Sequence, residues 1–366
     1  MAISPKPLRG TRPTKKKALL IGIGYQDSAA QIKLDMPHED VMRLRDFLIK
    51  AYGYRKENVT VMLDKPGELQ PTQKNIRQQA ANLVAGAAPG DHFFFYYAGH
   101  SVQIPEDCRP EERTELDGMD EAMVPSDGHT ADHATTRESC LVDNELKRLL
   151  VNPLPAEASL MAVLDTCHSA SLLDLDHNAC NAKWSCLNTI QLKNIITVSV
   201  HNRDAPQSRP TPTHTTNKPD PRSSLSRKPE LSAEAAASLN PCRMPLVISL
   251  AACKDDQINL ENSGDINGRS FTERLLNILS DDPHPRLRDL MKKISISIHG
   301  MLLDAINVKE IERRQAAHDA LVRKSTQAPS SVRCRDSLVG CADLRCQDPQ
   351  MSSDIELNME SHLETL

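Results

Sequence analysis

Residues 91–100 read DHFFFYYAGH, and this stretch decides the fold. Aromatic residues make up only 3% of the 366-residue chain, yet residues 93–97 are all aromatic. Aromatic side chains favour strands, and an unbroken apolar run is typical of a strand that is buried on both faces. We therefore predict a central strand over about 92–98, with His100 just past its carboxyl end.

Apolar runs of similar length recur on either side of this strand and predict further strands. They are KALLIGIG (17–24), NVTVML (58–63), LMAVLDT (160–166) and PLVISLAA (245–252). Between and after these runs, apolar residues recur with helical spacing. The predicted helices cover 37–51, about 72–87, a segment from near 143, 270–279, and about 286–320. Strands that alternate with helices predict an α/β fold, in which a mainly parallel sheet carries helices on both faces.

Two reactive side chains follow predicted strands directly. His100 comes after the aromatic strand, and Cys167 comes after LMAVLDT. Right-handed crossovers place the carboxyl ends of parallel strands on one edge of a sheet, where α/β proteins bind their ligands. A cysteine thiol needs a neighbouring base to react as thiolate, so a Cys–His pair at this edge would suit nucleophilic catalysis. Taken alone, the same residues are more typical of a buried thiol and a hydrogen-bonded histidine than of a catalytic pair.

Composition argues against several classes of function. The net charge of −5 gives no basic footprint for nucleic acid, and no run of about 18 apolar residues could span a membrane. The amino-terminal residues have no apolar signal core, so we expect a cytoplasmic protein. In that compartment the ten cysteines should be mostly free thiols, and no CxxC pair suggests a zinc site.

Local motifs then identify a family. FYYAGHSVQ (95–103) resembles the YSGHGxQ segment of metacaspases, and DTCHSA (165–170) resembles their DSCHSG. Further matches occur in the same order as in the family. They are ALLIGIG (18–24), DGMDEAMVPSD (117–127), LLDL (172–175), SLAACKDDQ (249–257) and QDPQM (347–351). The caspase motif QAC[RQG]G is absent, which favours the metacaspase branch over an Asp-directed caspase.

The resemblance covers about residues 16–358 and implies a caspase-like three-layer sandwich. It adds a sixth strand at about 350–357, so the implied sheet is six-stranded and mainly parallel. The implied division is a short basic tail (1–15), a large-subunit part with the His and the Cys (16–177), a flexible linker (178–241), a small-subunit part (242–358) with a charged helical insertion at about 300–345, and an acidic tail (359–366).

The same resemblance assigns roles to individual residues. Cys167 matches the nucleophile and His100 the general base, and the backbone N–H groups of Ser101 and Cys167 match the oxyanion donors. Asp40 and Asp165 match the two carboxylates that hold an Arg or Lys side chain of the substrate. Ser101 replaces a family glycine, as does residue 170, so a side chain enters a tight turn.

Calcium is implied in the same way. Asp120, Asp143 and Asp174 match family residues that bind Ca²⁺, while Asn144 replaces one of the family acids. An amide oxygen can still coordinate calcium, but the lost charge should weaken binding. The alternative is that residues 111–121 form an ordinary acidic loop.

We therefore expect a monomeric, calcium-dependent cysteine endopeptidase that cleaves protein substrates after Arg or Lys and processes itself in the linker. A second hypothesis is a degenerate caspase-fold protein that binds partners without cleaving them, motivated by the changes at Ser101, Ala170 and Asn144. A third is a different cysteine hydrolase on a similar sheet, because fold alone does not define function.

Overall fold

A six-stranded sheet forms the centre of the protein. The computed structural model describes residues 12–26, 33–106, 118–128, 136–167, 169, 171–177, 180–181, 244–253, 270–298, 300 and 348–363. The strands of this sheet are β1 (Lys16–Gly22), β2 (Val59–Leu63), β3 (His92–Ala98), β7 (Ser159–Asp165), β8 (Leu246–Ala251) and β9 (Gln350–Ser353). Their spatial order is β2-β1-β3-β7-β8-β9, with every pair parallel except β8 and β9. The predicted α/β class with a mainly parallel six-stranded sheet is confirmed.

Helices cover both faces of the sheet. They are α1 (Pro37–Tyr52), α2 (Gln73–Val84), α3 (Asp143–Leu150) and α4 (Phe271–Asp281), and residues 287–298 are also helical. Because side chains alternate along a strand, Phe95 and Tyr97 pack on the face that α2 and α3 cover. Tyr96 points the other way, and its hydroxyl lies 2.7 Å from the Thr272 hydroxyl of α4. Gly22 faces α1 on that side so closely that a Cβ would lie 2.6 Å from the Pro37 carbonyl oxygen.

A small antiparallel sheet lies beside the carboxyl end of β3. It consists of β4 (Ser101–Pro105), β5 (Met119–Met123) and β6 (Leu141–Val142), in that order. β4 begins immediately after His100, so the chain passes at this residue from the central sheet to the small sheet. The register pairs Ser101 with Met123, which fixes the turn that carries the predicted base.

The outer edge of β9 is covered by the chain that follows the predicted nucleophile. His177 exchanges two backbone hydrogen bonds with Ser353, at 2.8 and 3.0 Å, and the Cys180 N–H donates to the Met351 carbonyl at 2.8 Å. Asn181 adds side-chain bonds to the Pro349 carbonyl and the Met351 N–H. The first residues of the predicted linker thus belong to the ordered domain, while residues 182–243 lie outside the described residues.

The remaining sequence predictions have mixed outcomes. The charged insertion at about 300–345 lies outside the described residues, apart from Gly300. Residues 359–363 of the predicted acidic tail fold back on 285–288, where the Leu363 N–H donates to the Pro285 carbonyl at 2.8 Å. The four described cysteines are free thiols, as predicted. Among the described helices, none is long and apolar enough to cross a membrane.

Candidate active site

The strand register brings His100 and Cys167 to neighbouring positions. Ala98 of β3 is paired with Asp165 of β7, and each candidate stands two residues beyond its strand's paired position. Neighbouring strands lie about 4.8 Å apart, so the two turns run side by side. The sequence predicted only that His100 and Cys167 each follow a strand. The structure shows that these two strands are neighbours and that the two residues lie at the same level.

Hydroxyl groups join the two turns. The Ser101 hydroxyl donates to the carbonyl oxygen of Cys167. The Thr166 hydroxyl lies 2.7 Å from the Gly99 carbonyl oxygen and 2.8 Å from the Ser101 hydroxyl. Gly99, Ser101 and Thr166 are buried, so the two bonds of the Thr166 hydroxyl are protected from water. The bond from Ser101 to the Cys167 carbonyl is partly buried. Ser101, which stands where the family has glycine, therefore fits the turn and links it to the nucleophile.

The backbone of His100 is held on both sides. Its N–H donates to the Tyr25 hydroxyl at 2.9 Å, and its carbonyl oxygen accepts from the Tyr97 hydroxyl at 2.5 Å and from the Val124 N–H at 3.0 Å. The imidazole lies over the ring of Tyr25, with ring centroids 4.7 Å apart and an interplanar angle of 32°. The side chain is half-buried, which leaves it accessible to a substrate.

The nucleophile turn is anchored to the end of β8. Cys167 is half-buried, and among the described residues it forms no disulfide. Two residues later, the buried Ser169 hydroxyl donates to the Cys253 carbonyl oxygen at 3.2 Å, and the Cys253 thiol lies 3.4 Å from the Thr166 carbonyl oxygen. Residues from before and after the predicted linker therefore build one site.

Asp165 is buried beneath this turn and is held by α4. Its carboxylate accepts hydrogen bonds from the Thr272 N–H at 2.9 Å and from the Thr272 hydroxyl at 2.5 Å. The amino terminus of a helix favours negative charge, and α4 begins at the neighbouring Phe271. This arrangement gives the Asp165 carboxylate two hydrogen-bond donors at the amino terminus of a helix.

Asp40 lies in the first turn of α1 and has a different environment. It is fully buried, and neither carboxylate oxygen has a hydrogen-bond partner among the described residues. Burial and, to a smaller extent, the negative charge of Asp165 together raise the pKa of Asp40 to about 8. A poorly aligned interaction with the Ser270 side chain only partly offsets the rise. The predicted pair of pocket acids is thus brought together, with one member satisfied and the other not.

The predicted calcium ligands are divided between three environments. Asp120 is buried and accepts a hydrogen bond from the Arg137 guanidinium at 2.5 Å, while its other oxygen has no partner among the described residues. Asp143 is also buried, and its burial raises its pKa to about 8. Two backbone hydrogen bonds oppose this rise, and the negative charges of Asp120 and Glu121 add to it. Asp174 is bound elsewhere, where the Lys147 ammonium donates to its carbonyl oxygen. Asn144 contacts Asp143 through its backbone N–H, at 2.5 Å, while its side chain is exposed.

In the part of the chain that the structure describes, no three His, Cys, Asp or Glu residues are arranged to hold a metal ion. Two of the four predicted ligands are paired with basic side chains in this arrangement, Asp120 with Arg137 and Asp174 with Lys147. Most of the acidic loop before Gly118 lies outside the described residues. Calcium binding stays a prediction.

Sequence reasoning missed three residues that build the site. Tyr25 directly follows the glycine that ends the first apolar run, and an aromatic residue at a strand end was an available signal. Thr272 and Arg137 gave no comparable signal, because each reaches its partner from a distant part of the chain.

Comparisons with known proteins agree with the site. The family model described as the metacaspase, peptidase C14 domain matches residues 16–176. Metacaspase-1 of Cryptococcus neoformans is 38% identical over 166 residues, which cover 44% of this chain and 33% of that protein. Metacaspase-1 of Schizosaccharomyces pombe is 37% identical over 163 residues, which cover 44% of this chain and 35% of that protein. The chain thus spans about a third of the length of these relatives.

A solved structure described as pro-sf-caspase-1 aligns over 96% of this chain and 95% of its own, at 10% identity and a TM-score of 0.37. The family model matches the segment that carries both His100 and Cys167. Residues 16–176 of this chain, which include His100 and Cys167, are therefore similar to the peptidase C14 domain of metacaspases.

Proposed function

We propose that this protein is a cysteine endopeptidase that cleaves after basic residues. The observation that carries the proposal is the β3–β7 register, which sets His100 beside Cys167 at the carboxyl edge of the sheet. Neither residue of the Cys–His pair is replaced, which favours a peptidase over a degenerate binding protein.

The proposed reaction uses the two side chains in sequence. His100 accepts the thiol proton, and the Cys167 sulfur attacks the scissile carbonyl carbon to form a tetrahedral oxyanion. Backbone N–H groups of the two turns would hold this oxyanion. The imidazolium then gives its proton to the leaving amine as the C–N bond breaks, which leaves a thioester. Water, deprotonated by His100, hydrolyses the thioester and returns the free thiol.

Preference for Arg or Lys follows from the two buried acids. Asp165 accepts two hydrogen bonds from Thr272, and neither oxygen of the neighbouring Asp40 has a partner among the described residues. Because burial raises the pKa of Asp40 to about 8, an arginine guanidinium would bind with loss of that proton and could then form paired hydrogen bonds with both oxygens of Asp40. An acidic side chain would find no opposite charge there and be rejected.

A panel of fluorogenic peptides tests this proposal. Peptides with Arg, Lys or Asp before the scissile bond are compared on wild type, Cys167→Ala and Asp40→Asn. We expect cleavage after Arg and Lys by wild type only, and none after Asp. Cleavage after Asp would refute the assigned specificity, and no cleavage of any peptide would favour the partner-binding hypothesis.

Calcium activation is a separate proposal that rests on the family resemblance. The support from this chain is limited to Asp120, which has one unpartnered buried oxygen, and the neighbouring Asp143. Calcium would have to displace Arg137 from Asp120. Isothermal titration with CaCl₂ tests this directly: binding that strengthens in Arg137→Gln supports the site, and heats equal to those of buffer in both proteins contradict it.

A monomeric state is also proposed. Caspase-fold sheets can associate through an exposed edge strand, and the outer edge of β9 is bonded here to His177, Cys180 and Asn181. Sedimentation velocity should give a single species of about 40.6 kDa, the mass of the chain, at micromolar concentration. A concentration-dependent dimer would contradict the proposal. Cytoplasmic location likewise remains a proposal.

A further inference from the structure

Tyr25 adopts an unusual backbone conformation at the end of β1. Its φ is 51°, in the left-handed region that non-glycine residues rarely enter. The Gly24 and Tyr25 N–H groups both donate to the Asp64 carboxylate, at 2.8 and 2.6 Å. Asp64 also bonds the His38 imidazole at 2.5 Å. The strained turn is therefore held by the part-buried Asp64 carboxylate, which His38 in turn hydrogen-bonds.

The charge on Asp64 is maintained despite its partial burial. Burial alone would raise its pKa, but the bonds from His38 and from the two N–H groups outweigh this and lower the pKa below its usual value. The acceptor that holds Tyr25 in place thus stays ionised at neutral pH.

This conformation aims the buried Tyr25 side chain at the predicted base. Its hydroxyl donates to the Val124 carbonyl at 2.6 Å and accepts the His100 N–H at 2.9 Å. Its ring lies against the imidazole, with ring centroids 4.7 Å apart. One side chain therefore fixes both the backbone of His100 and the plane of its ring.

We propose that Tyr25 is a positioning residue that sets His100 at the correct height and orientation to take the proton from Cys167. The proposal rests on the function assigned above to His100 and Cys167. Nothing in the peptidase mechanism requires an aromatic hydroxyl at this point, so the role comes from this chain's own contacts.

The positioning role predicts a specific kinetic pattern. Tyr25 lies against His100, whereas Asp40 and Asp165 form the pocket for the substrate side chain. A misplaced base weakens proton transfer without changing substrate binding, so kcat should fall while KM stays constant. Small displacements of a catalytic group lower rates by up to about 100-fold.

The test compares Tyr25→Phe with a matched control. Tyr25→Phe keeps the ring contact and removes the hydroxyl bonds to the Val124 carbonyl, the Tyr97 hydroxyl and the His100 N–H, so the part-buried His100 N–H loses this acceptor. Tyr54→Phe is the control, because the Tyr54 hydroxyl is buried and has no hydrogen-bond partner among the described residues. We expect kcat on an Arg peptide to fall by about 10- to 100-fold in Tyr25→Phe with KM unchanged. Tyr54→Phe should stay within about twofold of wild type.

Alkylation of Cys167 by iodoacetamide at pH 7 separates the two proposals. If wild type reacts no faster than His100→Ala, His100 does not activate the thiol and the proposed function itself fails. If wild type reacts faster than His100→Ala but Tyr25→Phe equals wild type in alkylation and kcat, only the positioning role is overturned. We expect Tyr25→Phe to react at a rate close to that of His100→Ala.

A second variant covers the case in which Tyr25→Phe does not fold. Asp64→Asn replaces one carboxylate oxygen by an amide nitrogen, which cannot accept a hydrogen bond. One of the two N–H groups of Gly24 and Tyr25 therefore loses its acceptor, while the Tyr25 side chain stays intact. We expect the same fall in kcat at constant KM, because the strained turn that aims Tyr25 is loosened. Wild-type kcat in a folded Asp64→Asn protein would overturn the proposal.

Discussion

Replacing Asp40 by Asn should stabilise the protein while removing its proposed activity. In the folded protein burial raises the pKa of Asp40 to about 8, with a further contribution from Asp165. In the unfolded chain an aspartate ionises near pH 3.9. At pH 7 the unfolded state therefore loses a proton that the folded state keeps.

The sign of the effect follows from this difference. Between about pH 4 and pH 8 the folded state binds more protons at this carboxyl, so the free energy of unfolding falls as pH rises. The penalty grows by about 1.4 kcal/mol per pH unit and reaches about 4 kcal/mol at pH 7. Asparagine is neutral throughout and is buried in the same way as a protonated carboxyl. We expect Asp40→Asn to be more stable than wild type by about 2–4 kcal/mol at pH 7 and by about 1 kcal/mol at pH 4.5.

Urea denaturation at pH 4.5, 6, 7 and 8 measures this dependence. The difference between the two proteins is the relevant quantity, because other buried acids such as Asp143 titrate equally in both. A stability difference that does not change with pH, or an Asn variant that is less stable at pH 7, would refute the reasoning. Either result would mean that Asp40 is ionised and paired in the folded state.

Three further predictions concern the contacts around the site. Thr272→Val removes the hydroxyl that bonds Asp165, so KM for an Arg peptide should rise by about tenfold with little change in kcat. Thr272→Ser keeps a hydroxyl and should retain wild-type KM. Equal KM values for the two variants would contradict this. Ser101→Ala removes the bond to the Cys167 carbonyl, so kcat should fall severalfold, and an unchanged kcat would mean that the bond is dispensable. Limited proteolysis within residues 182–243 should leave one particle in gel filtration, because six residue pairs join β7 to β8; two separated fragments would contradict the shared sheet.

Much of the fold could be predicted because burial on both faces leaves a plain signal. The six predicted strands overlap all six observed strands, and those within 17–166 agree to within two residues at either end. β9 is shorter than predicted, ending at Ser353 rather than at about 357, because residues 354–357 leave the sheet. The helices follow similarly from their apolar faces.

The edge of the sheet could be predicted, but the contacts across it could not. Strand order places His100 and Cys167 together, since a parallel register aligns strand ends. The bond from Thr272 to Asp165 joins residues 107 positions apart, and no local pattern encodes it. The left-handed conformation of Tyr25 is equally invisible in sequence, because it depends on Asp64 and His38 from other elements.

The linker boundary shows a related limit. Polar composition after residue 177 predicts a mobile segment, yet Cys180 and Asn181 are bonded to β9. Backbone pairing with an edge strand needs no apolar side chains, so composition does not reveal it.

Covalent labelling of the nucleophile tests the central claim most directly. A peptidyl-arginine acyloxymethyl ketone is incubated with wild type, Cys167→Ala and His100→Ala, with and without CaCl₂, and the adduct is located by peptide mass mapping. The account predicts one adduct on Cys167 in wild type, strongly reduced in His100→Ala and absent in Cys167→Ala. No adduct on wild-type Cys167 in either condition, or labelling of a different cysteine, would contradict it.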